Sequence, residues 1–164
     1  MTLVRLTYFS RNRIHRLPGG ADDRIADLIR VAVANNRRDD VTGGLIHDKK
    51  WFAQVLEGVE RTVSRTFERI LRDDRHSDVS LVTMQPIATR HFLFAWMSAA
   101  PWSEDNADLF MHYGGDKFFD PQVITADRLN DLVEAVVGRA TQHEGRTSWT
   151  TRSATSAAPD GAAK

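Results

Sequence analysis

Cysteine is absent from the 164-residue chain. That excludes disulfides, thiol nucleophiles and thiolate metal sites, and it fits a reducing compartment. Excess charge is absent too: 22 basic residues face 22 acidic ones, so nothing argues for general attraction to nucleic acid or to an anionic membrane. No apolar run approaches the length that spans a bilayer, and Met1-Thr2-Leu3-Val4 reads as the opening of a strand rather than a signal peptide. A cytoplasmic protein that binds neither nucleic acid nor membrane is the expectation. Phosphate-binding glycine loops and nucleophile elbows are missing, and His15, His47, His91 and His112 have no metal-ligand spacing. What is present, 41% hydrophobic and 27% charged residues, suits one soluble domain with a sizeable core and some extensions.

Leu3–Phe9 alternates and is apolar enough on both sides to be a central strand. After a Pro18-Gly19-Gly20 turn, Asp22 is placed to cap a helix whose apolar face carries Ile25, Leu28, Ile29 and Val33. Val41–His47 and Trp51–Leu56 form a hairpin around Asp48-Lys49-Lys50. A second helix follows through Val63, Phe67, Ile70 and Leu71, then strands at Val79–Ile87 and Phe92–Ser98. The order βαββαββ, with both crossover helices on one sheet face, predicts an α+β ferredoxin-like sandwich. Shorter helices are expected at Glu104–Met111 and Thr125–Ala140. The organisation predicted is a core over residues 1–98, a helical extension over 99–140 and a disordered tail over 141–164.

Three polar residues stand out. Tyr8 alternates with Val4 and Leu6, Gln54 alternates with Phe52 and Leu56, and the first and third strands are neighbours in this topology. Asn36 lies at the end of the first helix. A core tyrosine and a helix C-cap are the ordinary explanations for two of them taken singly. Together a buried phenol and two carboxamides need partners, and a planar heteroaromatic ligand with imide-like donors and acceptors would satisfy all three. Ile25, Leu28, Ile29 and Phe52 would wall its ring. The run Arg72–His76 is either a solvated turn or a source of cations for such a ligand. Gly43-Gly44 allows close packing.

These residues resemble the BLUF family of blue-light sensors that bind flavin adenine dinucleotide (FAD). The resemblance runs from Leu3 to Ser98 and rests on an ordered set of motifs: LVRLTYFS with Tyr8 and Ser10, the pair Asn35-Asn36, TGGL at Thr42–Leu45, FAQVLEG at Phe52–Gly58 and DDRH at Asp73–His76. It implies an isoalloxazine ring between the two sandwich helices. Gln54 would sit between Tyr8 and the ring edge at N5 and O4, with Asn36 on the N3–O4 side and Asn35 also within reach. Arg69 or Arg75, with His76, would face the opposite carbonyl.

The family's usual Trp-x-Met on the fifth strand is altered here. In Phe94-Ala95-Trp96-Met97, Met97 falls on the family's methionine and Ala95 on its tryptophan. Strand alternation then sends Met97 toward the flavin near Gln54 and Trp96 to the other sheet face. The implied photocycle draws an electron and a proton from Tyr8 through Gln54 and leaves the Gln54 amide rotated or tautomerised. A chain of this build is expected to have no enzymatic activity and to signal to a separate effector protein. Phe94, Trp96 and Trp102 suggest a homodimer or larger oligomer, unless the C-terminal helices fold back over them. The competing reading is a ferredoxin-like regulatory module that binds a ligand or RNA without sensing light.

Overall fold

The structure is a computed structural model that describes residues 1–93 and 95–153, with side chains up to residue 142. Strand β1 (Leu3–Asn12) leads through a short 3-10 turn into helix α1 (Ala21–Asp39). The hairpin β2 (Thr42–His47) and β3 (Trp51–Val59) follows, then α2 (Glu60–Leu71), β4 (His76–Pro86) and β5 (Ser98–Pro101). The sheet order is β4-β1-β3-β2-β5, antiparallel except for the β2–β5 pair. This is the expected ferredoxin-like α+β sandwich with a fifth strand added at the β2 edge.

Two cores lie on the two sheet faces. Val4, Leu6, Tyr8, Leu45, Phe52 and Leu56 pack against Leu28 of α1 and Val63 of α2. On the other face Ile46, Trp51, Ala53 and Val55 meet Leu129, Leu132, Val133 and Val136 of helix α4 (Ala126–Ser153). Period-two alternation in β3 feeds both. Between β5 and α4 the chain makes a 3-10 turn at Glu104–Asn106, the short α3 (Ala107–Leu109), a π turn at Phe110–Gly114 and a 3-10 turn at Pro121–Val123. The face that Trp102 was expected to leave open is therefore covered within one chain, and Trp102 packs against that core. Phe94 lies outside the described residues.

Several boundaries differ from expectation. Helix α1 starts at Ala21 after Gly20 and continues past Asn36 to Asp39, where Asp40 closes it in the left-handed conformation. Asp22 is thus a first-turn residue and Asn36 is not the C-cap. Helix α4 does not stop at Ala140 but runs to Ser153, because extending a packed helix needs no new nucleation. Residues 154–164 of the expected tail lie outside the described residues.

The largest difference is the fifth strand, which occupies Ser98–Pro101 and not Phe92–Ser98. The backbone N–H groups of His91 and Phe92 donate to Glu57 Oε2 at 2.8 and 3.1 Å. They are consumed by a side chain and cannot enter a ladder. Residues 88–93 and 95–97 instead wrap the β2 edge, with Phe92 in the α4-side core and Met97 in the core under α1 and α2.

Close packing around β2 requires two glycines, Gly43 toward β3 and Gly44 beneath Phe92 of the edge segment. A Cβ on Gly43 would stand 2.1 Å from the Val55 carbonyl oxygen; one on Gly44 would meet Phe92 at 2.8 Å and Val133 at 3.1 Å. The Phe92 and Val133 side chains can shift; a central-strand carbonyl cannot. Gly44→Ala should cost about 1–3 kcal/mol of overpacking and Gly43→Ala more. Thermal denaturation should rank wild type above Gly44→Ala above Gly43→Ala, and the reverse order of the two variants would refute this packing.

Candidate functional site

Antiparallel pairing sets Tyr8 directly opposite Gln54, with both side chains on the helix face. Tyr8 is fully buried, and its hydroxyl donates to Gln54 Oε1. Burial, and then the negative charge of Asp73, raise the Tyr8 pKa far above that of an ordinary phenol, so the proton stays on the oxygen facing Gln54. The other end of the amide, Nε2, donates to Met97 Sδ at 3.3 Å. Asn36 Nδ2 donates to the Trp96 carbonyl at 2.7 Å. The two carboxamides thus hold adjacent residues of the same edge segment.

These partners change one expectation. Among the described residues no buried side-chain nitrogen or oxygen lacks a hydrogen bond, so no orphaned group demands a ligand. The grip on Gln54 is nevertheless uneven: a phenol holds one end and a thioether, a weak acceptor, the other.

Beside Gln54 a cleft of about 80 Å³ opens between α1 and α2. Leu28, Asn35, Asn36, Gln54, Arg69, Arg75 and His76, all singled out in the sequence, line it. Val31, Ala32, Thr66 and Ile70 line it too, and sequence reasoning missed them. The i, i+3/i+4 spacing of Leu28, Val31/Ala32 and Asn35 was the available signal. Tyr8, Ser10 and Phe52 lie behind this lining, fully buried. Ile29 packs in the helix-side core. Ile25 packs against the same core but borders a depression with His15, His47 and Trp102 rather than the cleft, because it sits a turn too far toward the N-terminus of α1.

Charged residues frame the cleft. Arg69 pairs with Asp39 of α1 at 2.7 Å, and Arg75 pairs with Asp73 and reaches Asp27 of α1 at 3.7 Å. The run Arg72–His76 is therefore more than a solvated turn. His76 stacks near Phe52, ring centroids 4.7 Å apart, and its Nδ1 lies 2.8 Å from Ser10 Oγ.

The donor set suits a flavin ring. Amides from Asn35, Asn36 and Gln54 match an imide edge, Arg69, Arg75 and His76 can meet a carbonyl, and Leu28, Val31, Ala32 and Ile70 supply apolar faces. Three fused rings need more room than the cleft has, so their entry requires α1 and α2 side chains to part.

Trp96 does not follow the alternation argument. It precedes β5 and is half-buried, while the cores on both sheet faces are built from other residues. Parity holds only within a ladder, and none of the described residues between 92 and 97 is in one.

Burial lowers His76 to about 4 from an ordinary 6.5, with Asp73 opposing and Arg75 assisting. Burial, assisted by His15, lowers His47 to about 4 as well. Between these values the unfolded chain binds more protons than the folded one, so stability rises with pH across that window. The denaturation midpoint should fall as pH is lowered from about 6.5 to about 4, and His76→Asn should flatten the slope. A variant slope equal to that of wild type would contradict the assignment.

The family model described as sensors of blue-light using FAD matches residues 3–98. The chain is 34% identical over 97 residues to the photoactivated adenylate cyclase subunit beta of Euglena gracilis, covering 58% of this chain and 11% of that protein. It is 36% identical over 90 residues to the subunit alpha of the same organism, covering 54% and 8%. The chain therefore spans about a tenth of the length of these curated relatives. Among solved structures, dark-state BlrB aligns with a TM-score of 0.62 at 26% identity, over 82% of this chain and 96% of that one. BlrP1 of Klebsiella pneumoniae, solved with FMN and cyclic diGMP, aligns at 0.54 and 31% identity, over 61% and 26%. The photo-activated state of BlsA shares the fold, with a TM-score of 0.73 at 23% identity over 82% and 94%. With residues 3–98 matched, more than half of its length, the chain belongs to the BLUF family, sensors of blue light that use FAD.

Proposed function

We propose that Tyr8, Gln54 and Met97 form the light switch of this sensor, and that the switch is read by a separate effector protein through the β2 edge and α4. The observation that carries the reading is the uneven hold on Gln54, phenol on one side and thioether on the other, at the wall of the cleft. Bound flavin supplies light absorption and one-electron chemistry. Asn35, Asn36 and Gln54 would hold its polar edge, and Arg69 or Arg75 with His76 its opposite carbonyl.

Tyr8 keeps a proton aimed at Gln54 Oε1. With bound flavin as the electron acceptor, that proton would pass from Tyr8 to Gln54 Oε1 and back, and in the interval the amide could turn and settle with its ends exchanged. The cost of the exchange is low on the Met97 side, because a thioether contact is weak, and the backbone need not move. With the ends exchanged, Nε2 no longer donates to Met97, so the switch reports its state to the edge segment.

The effector is a proposal drawn from the relatives, whose names place them in adenylate cyclases; no catalytic role is assigned to this chain. None of the described helices is long and apolar enough to cross a membrane. Homodimerisation belongs to the same proposal. Its support is the edge strand β4, which leaves Leu81 and Met84 exposed.

Purified protein should carry noncovalent flavin and show a small reversible red shift under blue light. Tyr8→Phe and Gln54→Ala should retain flavin and lose the shift. Colourless protein that takes up no FAD, or either variant photocycling normally, would overturn the assignment. Sedimentation should show a dimer that Leu81→Lys converts to monomer; wild type that stays monomeric at high concentration refutes the dimer alone.

A further inference from the structure

Among the described residues Glu57 is the only aspartate, glutamate, lysine or arginine that is buried, and it has no exposure at all. Its side chain leaves β3 on the α4 face, opposite the switch. Arg5 Nε and a terminal guanidinium nitrogen approach Oε1 at 2.8 and 2.7 Å. Oε2 accepts the backbone N–H groups of His91 and Phe92. A fully buried carboxylate is tolerated only with such compensation. Here the compensation comes partly from the backbone of the edge segment, which is thereby anchored to the central strand that carries Gln54.

The same segment has a hold on each side of the sheet. At one end Phe92 packs over Gly44 in the core made with Val133 of α4. The His91 ring, Nδ1, lies 3.0 Å from Glu134 Oε2 on the same helix. At the other end Trp96 and Met97 are held by Asn36 and Gln54. Between the ends the Gly43 N–H donates to the Ala95 carbonyl at 3.0 Å and ties the segment to β2.

We infer that Glu57 is a positioning residue for signal output, clamping residues 91–92 so that displacement of Met97 is delivered to α4 through Phe92 and His91–Glu134. This rests on the light switch proposed above. With the clamp in place the segment pivots as a unit; without it, movement at Met97 is absorbed by slack at residues 91–92. The role is distinct from binding or photochemistry, since Glu57 neither lines the cleft nor touches Tyr8 or Gln54.

Glu57→Gln tests it. All partners of the carboxylate are donors, so an amide presents its own NH₂ to one set of them whichever way it turns, and the clamp or the Arg5 pair is lost. Flavin-loaded full-length protein is compared in the dark and under blue light by absorbance and by hydrogen exchange of peptides covering 91–97 and 126–142. Glu57→Gln should keep the flavin red shift and the exchange change at 91–97. The light-dependent change at 126–142 should fall about threefold or more, the size of effect expected when a coupling contact is removed.

His91→Ala, which leaves Glu57 and both backbone donors in place, should weaken the α4 response in the same direction, and it decides the matter alone if Glu57→Gln does not fold. A full α4 response in folded Glu57→Gln, or in His91→Ala, would overturn the inference. Loss of the red shift in Glu57→Gln would overturn it too, by placing the residue in the photochemistry. Absence of a red shift in wild type would instead refute the light switch itself, so the two failures are separable.

Discussion

The hydrogen bond from the Tyr8 phenol to the Gln54 carbonyl exists because β1 and β3 pair antiparallel with these two residues opposite one another. A slip of one residue in either strand would turn one side chain to the α4 face and leave the other without its partner. Register is secured from both sides of the sheet. Val4, Leu6, Phe52 and Leu56 are buried under α1 and α2, and Ala53 and Val55 under α4. Two apolar cores of ordinary composition thus hold in place a polar contact that neither would stabilise by itself. Arg5 opposite Glu57 adds a charged pair in the same register.

Much of the site was legible because it follows short-range rules. Tyr8 and Gln54 could be placed on one face from alternation alone, and the neighbouring of first and third strands follows from the topology. Asn36 and Asn35 could be seen at the end of an apolar helical stripe. What was not legible depended on contacts distant in sequence. The apolar run Phe92–Ser98 reads as a strand, yet a carboxylate some 34 residues earlier takes the N–H groups such a strand would need. Ile25 and Ile29 share a hydrophobic face with Leu28, but an amphipathic pattern tells which face is buried, not which neighbour meets each turn. Only the placement of α2 shows that the cleft runs past Leu28, Val31 and Ala32.

Opening the cleft for a three-ring system is inexpensive for a related reason. The bonds that span it, Arg69–Asp39 and Arg75–Asp27, join partly exposed side chains, and such pairs contribute about 0–1 kcal/mol each. Apolar contact with both faces of a bound ring outweighs that loss. The frame is rigid where it holds Tyr8 and Gln54, and yielding where a ligand must pass.

The edge segment owes its use to being a poor strand. A full ladder to β2 would fix residues 92–97 by a bond every other residue, and a change in one amide could not shift it. Its described residues are held by unlike attachments: the Glu57 clamp, a backbone bond from Gly43, and the side chains of Asn36 and Gln54. Two of these come from the cleft wall itself, and they grip consecutive residues. In the switch proposed above, rotation of the Gln54 amide would remove the Met97 contact and leave Asn36 holding Trp96 and Gly43 holding Ala95, so the segment would lose one polar restraint at that end while the other end stays clamped. A packed core responds to such a change by moving between discrete arrangements rather than by gradual deformation. The element in contact with the clamped end is α4, and it is there that, on the switch proposed above, a local exchange of hydrogen bonds would become a change of surface.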